Sequence, residues 1–414
     1  MFSRDIALIL ASRAVRTFPL GIAGVLLPVY LASIGSSLFV GLFYSLSAAS
    51  TLVTLGLLGA YGHRVRVRDV LIVQTLFLST ALSIMALSPF SLLFLLAAAI
   101  SITNWAPGGG SGTGGGAYNT SVNILLSEHS ESGSRTLALS LSSLIGAVSF
   151  SVGAYFLSVV DIPKSMMVLN PVTSGPNLQS PATLFAVCAV TQFIAAIVLS
   201  FVRRTPKETT PTPGGTTDST TGRRSIFGVF RRASFLVVAE FANGLGMGLF
   251  SQIAPLWFYL RFNLSLGTVG LIFASVGLLT AFVVVISPRV ESKLGQSNAI
   301  FLARTGAGLL LVATAFAPTL TTALIPYFVS TSLARLVSPV QQSFVFTRIA
   351  RSEWTNAASI IATANVVGAA VGPLVGAILL LDVNLALPFV LAFPLILVSA
   401  LLYRREPGPS RAAS

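Results

Sequence analysis

Charge is scarce in this chain. Only 9% of its 414 residues are Asp, Glu, Lys or Arg, against 54% hydrophobic. A soluble domain carries about a quarter charged residues, so this composition excludes an ordinary water-soluble protein and points to a membrane. Cysteine is scarcer still. Cys188, midway along an apolar span, is the sole thiol, which rules out an internal disulfide and a cysteine metal cluster. The two histidines, His63 and His129, fall in turns and give no metal-ligand spacing. No nucleophile–base set or phosphate loop stands in a workable setting, so neither covalent catalysis nor a metal or cofactor is expected.

What is abundant is apolar length. A bilayer crossing needs roughly 20 apolar residues as a helix. Such spans lie near 6–32, 37–61, 70–87, 90–127, 136–160, 182–202, 233–258, 267–287, 298–316, 320–346, 356–381 and 385–403. Spanning segments satisfy their backbone internally, and these lengths require helix rather than strand. The first span, with Arg13 and Arg16 inside it and no small-residue cleavage site, does not read as a cleavable signal peptide.

The net charge of +13 is explained by topology, not by nucleic acid. With both termini on one side, the basic residues of loops and ends fall on that side, from Arg4, Arg64, Arg66 and Arg68 to Arg404, Arg405 and Arg411. Only Lys164 and Arg261 fall opposite. Positive charge marks the cytoplasmic face, so a multi-pass protein of the cell membrane with cytoplasmic termini is expected.

The chain also reads twice. Pro28 and Tyr30 have Pro255 and Trp257 opposite them at an offset of 227, and Gly41-Leu42 has Gly270-Leu271 at 229. This predicts an N-terminal six-helix bundle over 1–202, a cytoplasmic linker over 203–232, a C-terminal six-helix bundle over 233–403 and a tail over 404–414. Two similar membrane halves with a site between them are the mark of a secondary transporter. The linker, RRTPKETTPTPGGTTDSTTGRR at its start, has the composition of a flexible tether.

The repeat breaks in one place. Pro107 matches Pro339 at 232 but Gly146 matches Gly368 at 222, so the first half carries ten extra residues between them. They lie in the run Pro107-Gly-Gly-Gly-Ser-Gly-Thr-Gly-Gly-Gly116. As one helix, 90–127 would be about 57 Å long, against ~30 Å of hydrocarbon. Glycine and proline oppose helix so strongly that the fourth span should be interrupted here. The formal G-x-G-x-x-G of Gly110, Gly112 and Gly115 lacks a preceding strand and is not read as a nucleotide site. Asn104, Trp105, Tyr118 and Asn119 flank the run, which is either a structural insert or a cavity-lining hinge.

Between spans two and three runs Gly59-Ala-Tyr-Gly-His63-Arg64-Val-Arg66-Val-Arg68. It resembles the loop signature of the major facilitator superfamily, which is Gly, three residues, an acid and a base, then one residue, Gly, and two bases. His63 stands where that family has the acid, and Arg66 replaces the second Gly. The second-half copy keeps Lys293 and Gly295 but has Ser292 for the acid. Arg13-Ala-Val-Arg16, Pro28-Val-Tyr30 and Pro339-Val-Gln-Gln-Ser343 add to the likeness, which extends over nearly the whole chain. The resemblance implies an all-α rocker-switch transporter of two six-helix bundles, with Gly59, His63, Arg64, Arg68, Lys293 and Gly295 at its cytoplasmic gate loops. Lacking both acids, those bases act as topology signals or pair with helix C-termini.

Charges inside a bilayer mark function unless they reach an interface. Arg13 and Arg16 lie one turn apart on the first span. The 227 offset sets Arg13 opposite Glu240 and Arg16 opposite Asn243 on the seventh span. Glu240 either titrates during transport, with Arg13 or Arg16 as intermittent partner, or forms a static ion pair. Arg335, in the tenth span, either binds an anionic group or reaches a polar neighbour, while Arg304 is expected to snorkel to the near interface. Gln342, Asn365 and Asn243 suit helix–helix bonds or a ligand equally. Trp257 and Tyr30 are expected in the aromatic belt. Together these residues predict a monomeric transporter moving a small organic solute by alternating access within the lipid bilayer. It is either proton-coupled through Glu240, or an uncoupled facilitator or carrier of anions or zwitterions through Arg13, Arg16 and Arg335. A non-transporting or lipid-handling membrane protein on the same fold is the other class.

Overall fold

The computed structural model describes residues 4–61, 66–87, 91–103, 105, 117–130, 135–160, 162–163, 180–203, 234–348 and 354–405. The glycine run 107–116, most of 203–232, the end of the tail, and Asn104, His63 and Arg64 lie outside them. Among the described residues every regular element is helical. The first half comprises α1 (Arg4–Ile34), α2 (Ser37–Tyr61), α3 (Val67–Leu87), α4 (Ser91–Ser101), α5 (Ala117–His129), α6 (Arg135–Val160) and α7 (Pro181–Ser200). The second comprises α8 (Ser234–Phe250), α9 (Ala254–Arg261), α10 (Leu266–Leu294), α11 (Gln296–Ala315), α12 (Leu320–Arg348), α13 (Trp354–Ile378) and α14 (Leu387–Arg405), with a π turn at Leu379–Val383.

The fourth span is broken, as its glycine content requires. Helix α4 stops at Ser101, Ile102 takes the left-handed φ of 46°, and α5 resumes at Ala117. The exit from α4 is tied to α2: Ser47 Oγ donates to the Thr103 carbonyl at 2.6 Å and lies 3.1 Å from Ser101 Oγ. Trp105, expected at a cavity or hinge, is instead buried with its ring 6.2 Å from Phe43. With α4 and α5 as two half-length pieces of one crossing, the eleven longer apolar helical stretches complete twelve spans.

Each half is held by one glycine-lined crossing, and the two crossings are related by the repeat. On α1 and α6, a Cβ at Gly21 would strike the Phe150 carbonyl, and one at Gly153 the Phe18 carbonyl. On α8 and α13, Gly244, Gly368 and Gly376 face the carbonyls of Asn365, Phe241 and Leu249 in the same way. In lipid, where apolar burial between helices gains little, such backbone approach is what drives helices together.

The halves meet through α2 against α13 and α6 against α10. Ser37 Oγ donates to the Asp382 carboxylate, and a Cβ at Gly41 would fall 2.7 Å from Leu374 Cα. A Cβ at Gly270 would lie 2.5 Å from the Ala154 carbonyl, and Gly277 faces Ser151 Oγ. These contacts occupy the middle and the end remote from the termini. Toward the end carrying the termini, burial on α2 stops after Thr51, and Gly56 has nothing within 4 Å. On α10 it stops after Thr280 among the described side chains.

Tyr30 and Trp257 do not form an aromatic belt. Tyr30 is 3% exposed, 5.7 Å from both Phe94 and Phe185, while Trp257 is fully buried, 4.8 Å from Phe389 and 4.9 Å from Phe258. Ring-on-ring packing inside each half outcompetes the interface because both rings sit on α1 and α9 faces turned inward.

Candidate functional site

Glu240 lies in the middle of α8, where the helix crosses its glycine-lined partner α13. The crossing brings Asn365 of α13 close, and its Nδ2 donates to Glu240 Oε2 at 3.1 Å. Packing of α11 and α14 on α8 supplies the rest. Arg304 Nη2 meets Glu240 Oε1 at 2.7 Å, and the Tyr403 hydroxyl donates to the same oxygen at 3.0 Å. Arg304 Nη2 also donates to Gln341 Oε1 at 2.7 Å, and Nη1 to Ser399 Oγ. Its guanidinium lies over the Tyr403 ring, 4.8 Å from the centroid. The network joins five helices of the second half, α8, α11, α12, α13 and α14, and Glu240 and Arg304 are 3% and 4% exposed. A buried ion pair so completely hydrogen-bonded is the form in which such pairs are tolerated.

The partner of Glu240 is thus Arg304, not Arg13 or Arg16. Arg304 does not snorkel: it sits about 12 Å along α11 from the helix start and turns inward, because an acid is waiting there. Next to the expected Gln342, whose side chain lies outside the described set, Gln341 provides the amide. Asn243 is half-buried one turn beyond Glu240. Arg335 is half-buried on α12, two turns past the buried Tyr327.

The first half has a counterpart. Arg13 and Arg16 are 2% and 1% exposed. The guanidinium carbon of Arg16 lies over the Tyr118 ring, 3.7 Å from its centroid, at the start of α5. Its Nη1 reaches Thr75 Oγ1 of α3 at 3.5 Å, a long bond, and Gln192 Nε2 of α7 donates to its carbonyl at 2.8 Å. Thr75 stands 229 positions before Arg304, the repeat's own offset. The same helix pair that carries acid and base in the second half carries Arg16 and threonine in the first. Asn119, beside Tyr118, is half-buried.

Helix α5 has a second face. Thr120, Asn123, Ser127 and Glu128 follow its length with Ile124 and line an open groove of about 560 Å³. Their spacing places them opposite the buried Ser121, Val122 and Leu125. An amide and a carboxylate on one exposed stripe suit water, not lipid tails. This stripe was readable from spacing alone once the helix was known to restart at Ala117.

At the gate loops, Arg68 Nε and Nη2 donate to the Leu199 and Ser200 carbonyls at 3.3 and 2.5 Å, closing the C-terminus of α7. Gly295 takes φ 74°, the bend between α10 and α11 that a side chain would strain, while Lys293 is exposed. Gly59 lies in the last turns of α2.

No curated protein matches the sequence. Solved structures match its fold at low identity. A nucleoside transporter, NupG, aligns with TM-score 0.72 at 12% identity over 97% of this chain and 98% of its own. The xylose transporter XylE from E. coli, in an inward-open conformation, gives 0.71 at 12% over 98% and 97%. A bacterial homologue of the human lysosomal transporter Spinster, inward-facing and unoccupied, gives 0.67 at 14% over 97% and 94%. The family model described as Major Facilitator Superfamily matches residues 9–349. Twelve spans in two repeated halves, a broken fourth span and this match together show that the chain belongs to the major facilitator superfamily.

Proposed function

We propose that this protein is a secondary transporter that moves a small organic solute by alternating access, seen here open toward the cytoplasm. The observation that carries the reading is the asymmetry between ends. Helices α2 and α6 pack against α13 and α10, while toward the termini end no described side chain of α2 past Thr51 or of α10 past Thr280 is buried, and Gly56 stands in open space. The cluster of basic residues assigns the termini end to the cytoplasm. The exposed polar stripe of α5 suits a wall of such an opening better than a face against lipid tails. In this reading an N-terminal bundle over 1–202 and a C-terminal bundle over 233–403 are joined by a cytoplasmic linker over 203–232, and the protein works as a monomer in the cell membrane.

Within this reading Glu240 clasps the second half and carries no coupling proton, because Arg304, Tyr403 and Asn365 engage both its oxygens. Glu240→Gln should then keep the wild-type pH dependence of transport, and loss of that dependence would revive proton coupling.

Thiol accessibility tests the alternation itself. In a Cys188→Ala background, Gly56→Cys should react with a bulky maleimide and Gly41→Cys should not. Disulfide closure of Gly41→Cys with Leu374→Cys should hold Gly56→Cys permanently reactive. If Gly56→Cys reactivity is indifferent to that crosslink and to every tested solute, the protein does not alternate.

A further inference from the structure

Buried positive charge in the first half demands an explanation that the second half does not need. Glu240 neutralises Arg304 there. Its position in the first half is held by Arg13, so the repeat replaces the acid with a second base one turn from Arg16. The neighbours of Arg16 are a threonine, a tyrosine ring and an amide that touches only its backbone. Arg16 Nε makes no hydrogen bond, nor does the hydroxyl of Tyr118, which is 6% exposed, nor Gln192 Oε1. A guanidinium removed from water requires a counter-charge or a full set of acceptors. Arg16 has neither.

The place where these donors meet is also a helix start. Tyr118 is the second residue of α5, whose 13 residues resume the broken fourth span. The first N–H groups of a helix lack intrahelical acceptors and carry positive partial charge. Interrupted membrane helices in transporters present such ends to anionic groups. Here the helix start, two buried guanidiniums one turn apart and an unbonded phenol lie together, on the inner side of the helix whose outer face is the polar stripe.

We infer that Arg13, Arg16, Tyr118 and the first turn of α5 form a binding site for a small oxyanion, a carboxylate or phosphate group, and that this group belongs to the transported solute. The assignment of the anion to the solute rests on the transport reading above; the site itself does not. Guanidinium forks match the two oxygens of such groups, and the phenol adds a neutral donor. A chloride ion would leave the fork geometry unused.

The test uses the full chain, purified in detergent, with thermal unfolding followed in sodium sulfate, phosphate, acetate and chloride at matched ionic strength. A ligand that binds only the folded state raises its midpoint in a saturable way. The oxyanions should do so and chloride should not. Arg16→Lys, which keeps the charge and loses the fork, should weaken the apparent affinity about tenfold or more, and Tyr118→Phe by a smaller factor. Absence of a saturable oxyanion response, or an equal response in wild type, Arg16→Lys and Arg13→Gln, overturns the site. Nanodiscs separate the sources. If phosphatidylglycerol discs abolish the phosphate response that phosphatidylcholine discs retain, the group is a lipid headgroup and the solute assignment falls. Failure of every anion arm with thiol accessibility still alternating would reject this site and leave transport standing.

Discussion

The two halves of this protein place polar groups at matched depths and resolve them in opposite ways. In the second, α8 and α11 carry an acid and a base that meet at 2.7 Å and are enclosed by a phenol and two amides. In the first, α1 and α3 carry Arg16 and Thr75 at a 3.5 Å reach, with a tyrosine ring in place of an acid. A neutral, satisfied cluster is rigid and gains nothing from a ligand. An uncompensated one is poised to take a counter-charge. An acid in one repeat and a base at its equivalent in the other thus separate a structural clasp from a candidate binding site without changing the backbone plan.

The largest effect should come from breaking the clasp. Glu240→Ala or Arg304→Ala leaves one charge buried alone, a change that costs about 3–5 kcal/mol where such pairs are enclosed. The double variant Glu240→Gln with Arg304→Met should lose much less than the two single losses together. Unfolding in mixed micelles reads both, and a loss under about 1 kcal/mol for either alanine variant would show that the cluster is not a buried ion pair in the bilayer.

Supplying the missing acid sharpens the comparison from the other side. Thr75→Glu places a carboxylate against Arg16 at the repeat equivalent of Arg304. If Arg16 is uncompensated, this variant should be more stable than wild type by about 1–3 kcal/mol, and it should no longer respond to sulfate or phosphate. Destabilisation with an intact oxyanion response would mean that the first half has no deficit of negative charge.

Much of this was legible before any coordinates. The span count, the repeat and the interrupted fourth span follow from apolar length and from ten glycine-rich extra residues, both properties that act locally. The identity of Glu240's partner was not legible. Arg13 and Arg304 are each separated from Glu240 by spans of chain, and only the packing of α11 and α14 onto α8 decides between them. The 229 offset linking Arg304 to Thr75 was available, yet it carries meaning only when Arg16 is seen to reach Thr75. Tyr30 and Trp257 misled for a related reason: an aromatic residue at a span end suits both an interface and a neighbouring ring, and the choice lies in helix rotation.

The same offset marks a smaller pair of contacts where the halves do agree. Arg68, at the start of α3, donates to the final carbonyls of α7. Its equivalent 229 positions on is Ser297, at the start of α11, whose Oγ donates to the Tyr403 carbonyl near the end of α14 at 2.7 Å. In both halves the start of the third span is thereby fastened to the end of the sixth, on the termini side. A helix end there has carbonyls without intrahelical partners, and a donor from a neighbouring helix satisfies them while fixing the pair as a unit. Under the proposed alternating access, each bundle would then move as one body. Arg68 meets two carbonyls with a charged fork, so Arg68→Ala should cost about 1–2 kcal/mol, and Ser297→Ala, which removes one neutral bond, about 0.5–1.5 kcal/mol. Neighbouring Lys293, exposed and outside this fastening, should be neutral to alanine substitution. Hydrogen exchange at the ends of α7 and α14 would separate local fraying from global loss. Faster exchange at α7 in Arg68→Ala and at α14 in Ser297→Ala, each without effect on the other half, is the expected pattern. Exchange spreading across both halves from either substitution would mean that the bundles do not behave as separate bodies.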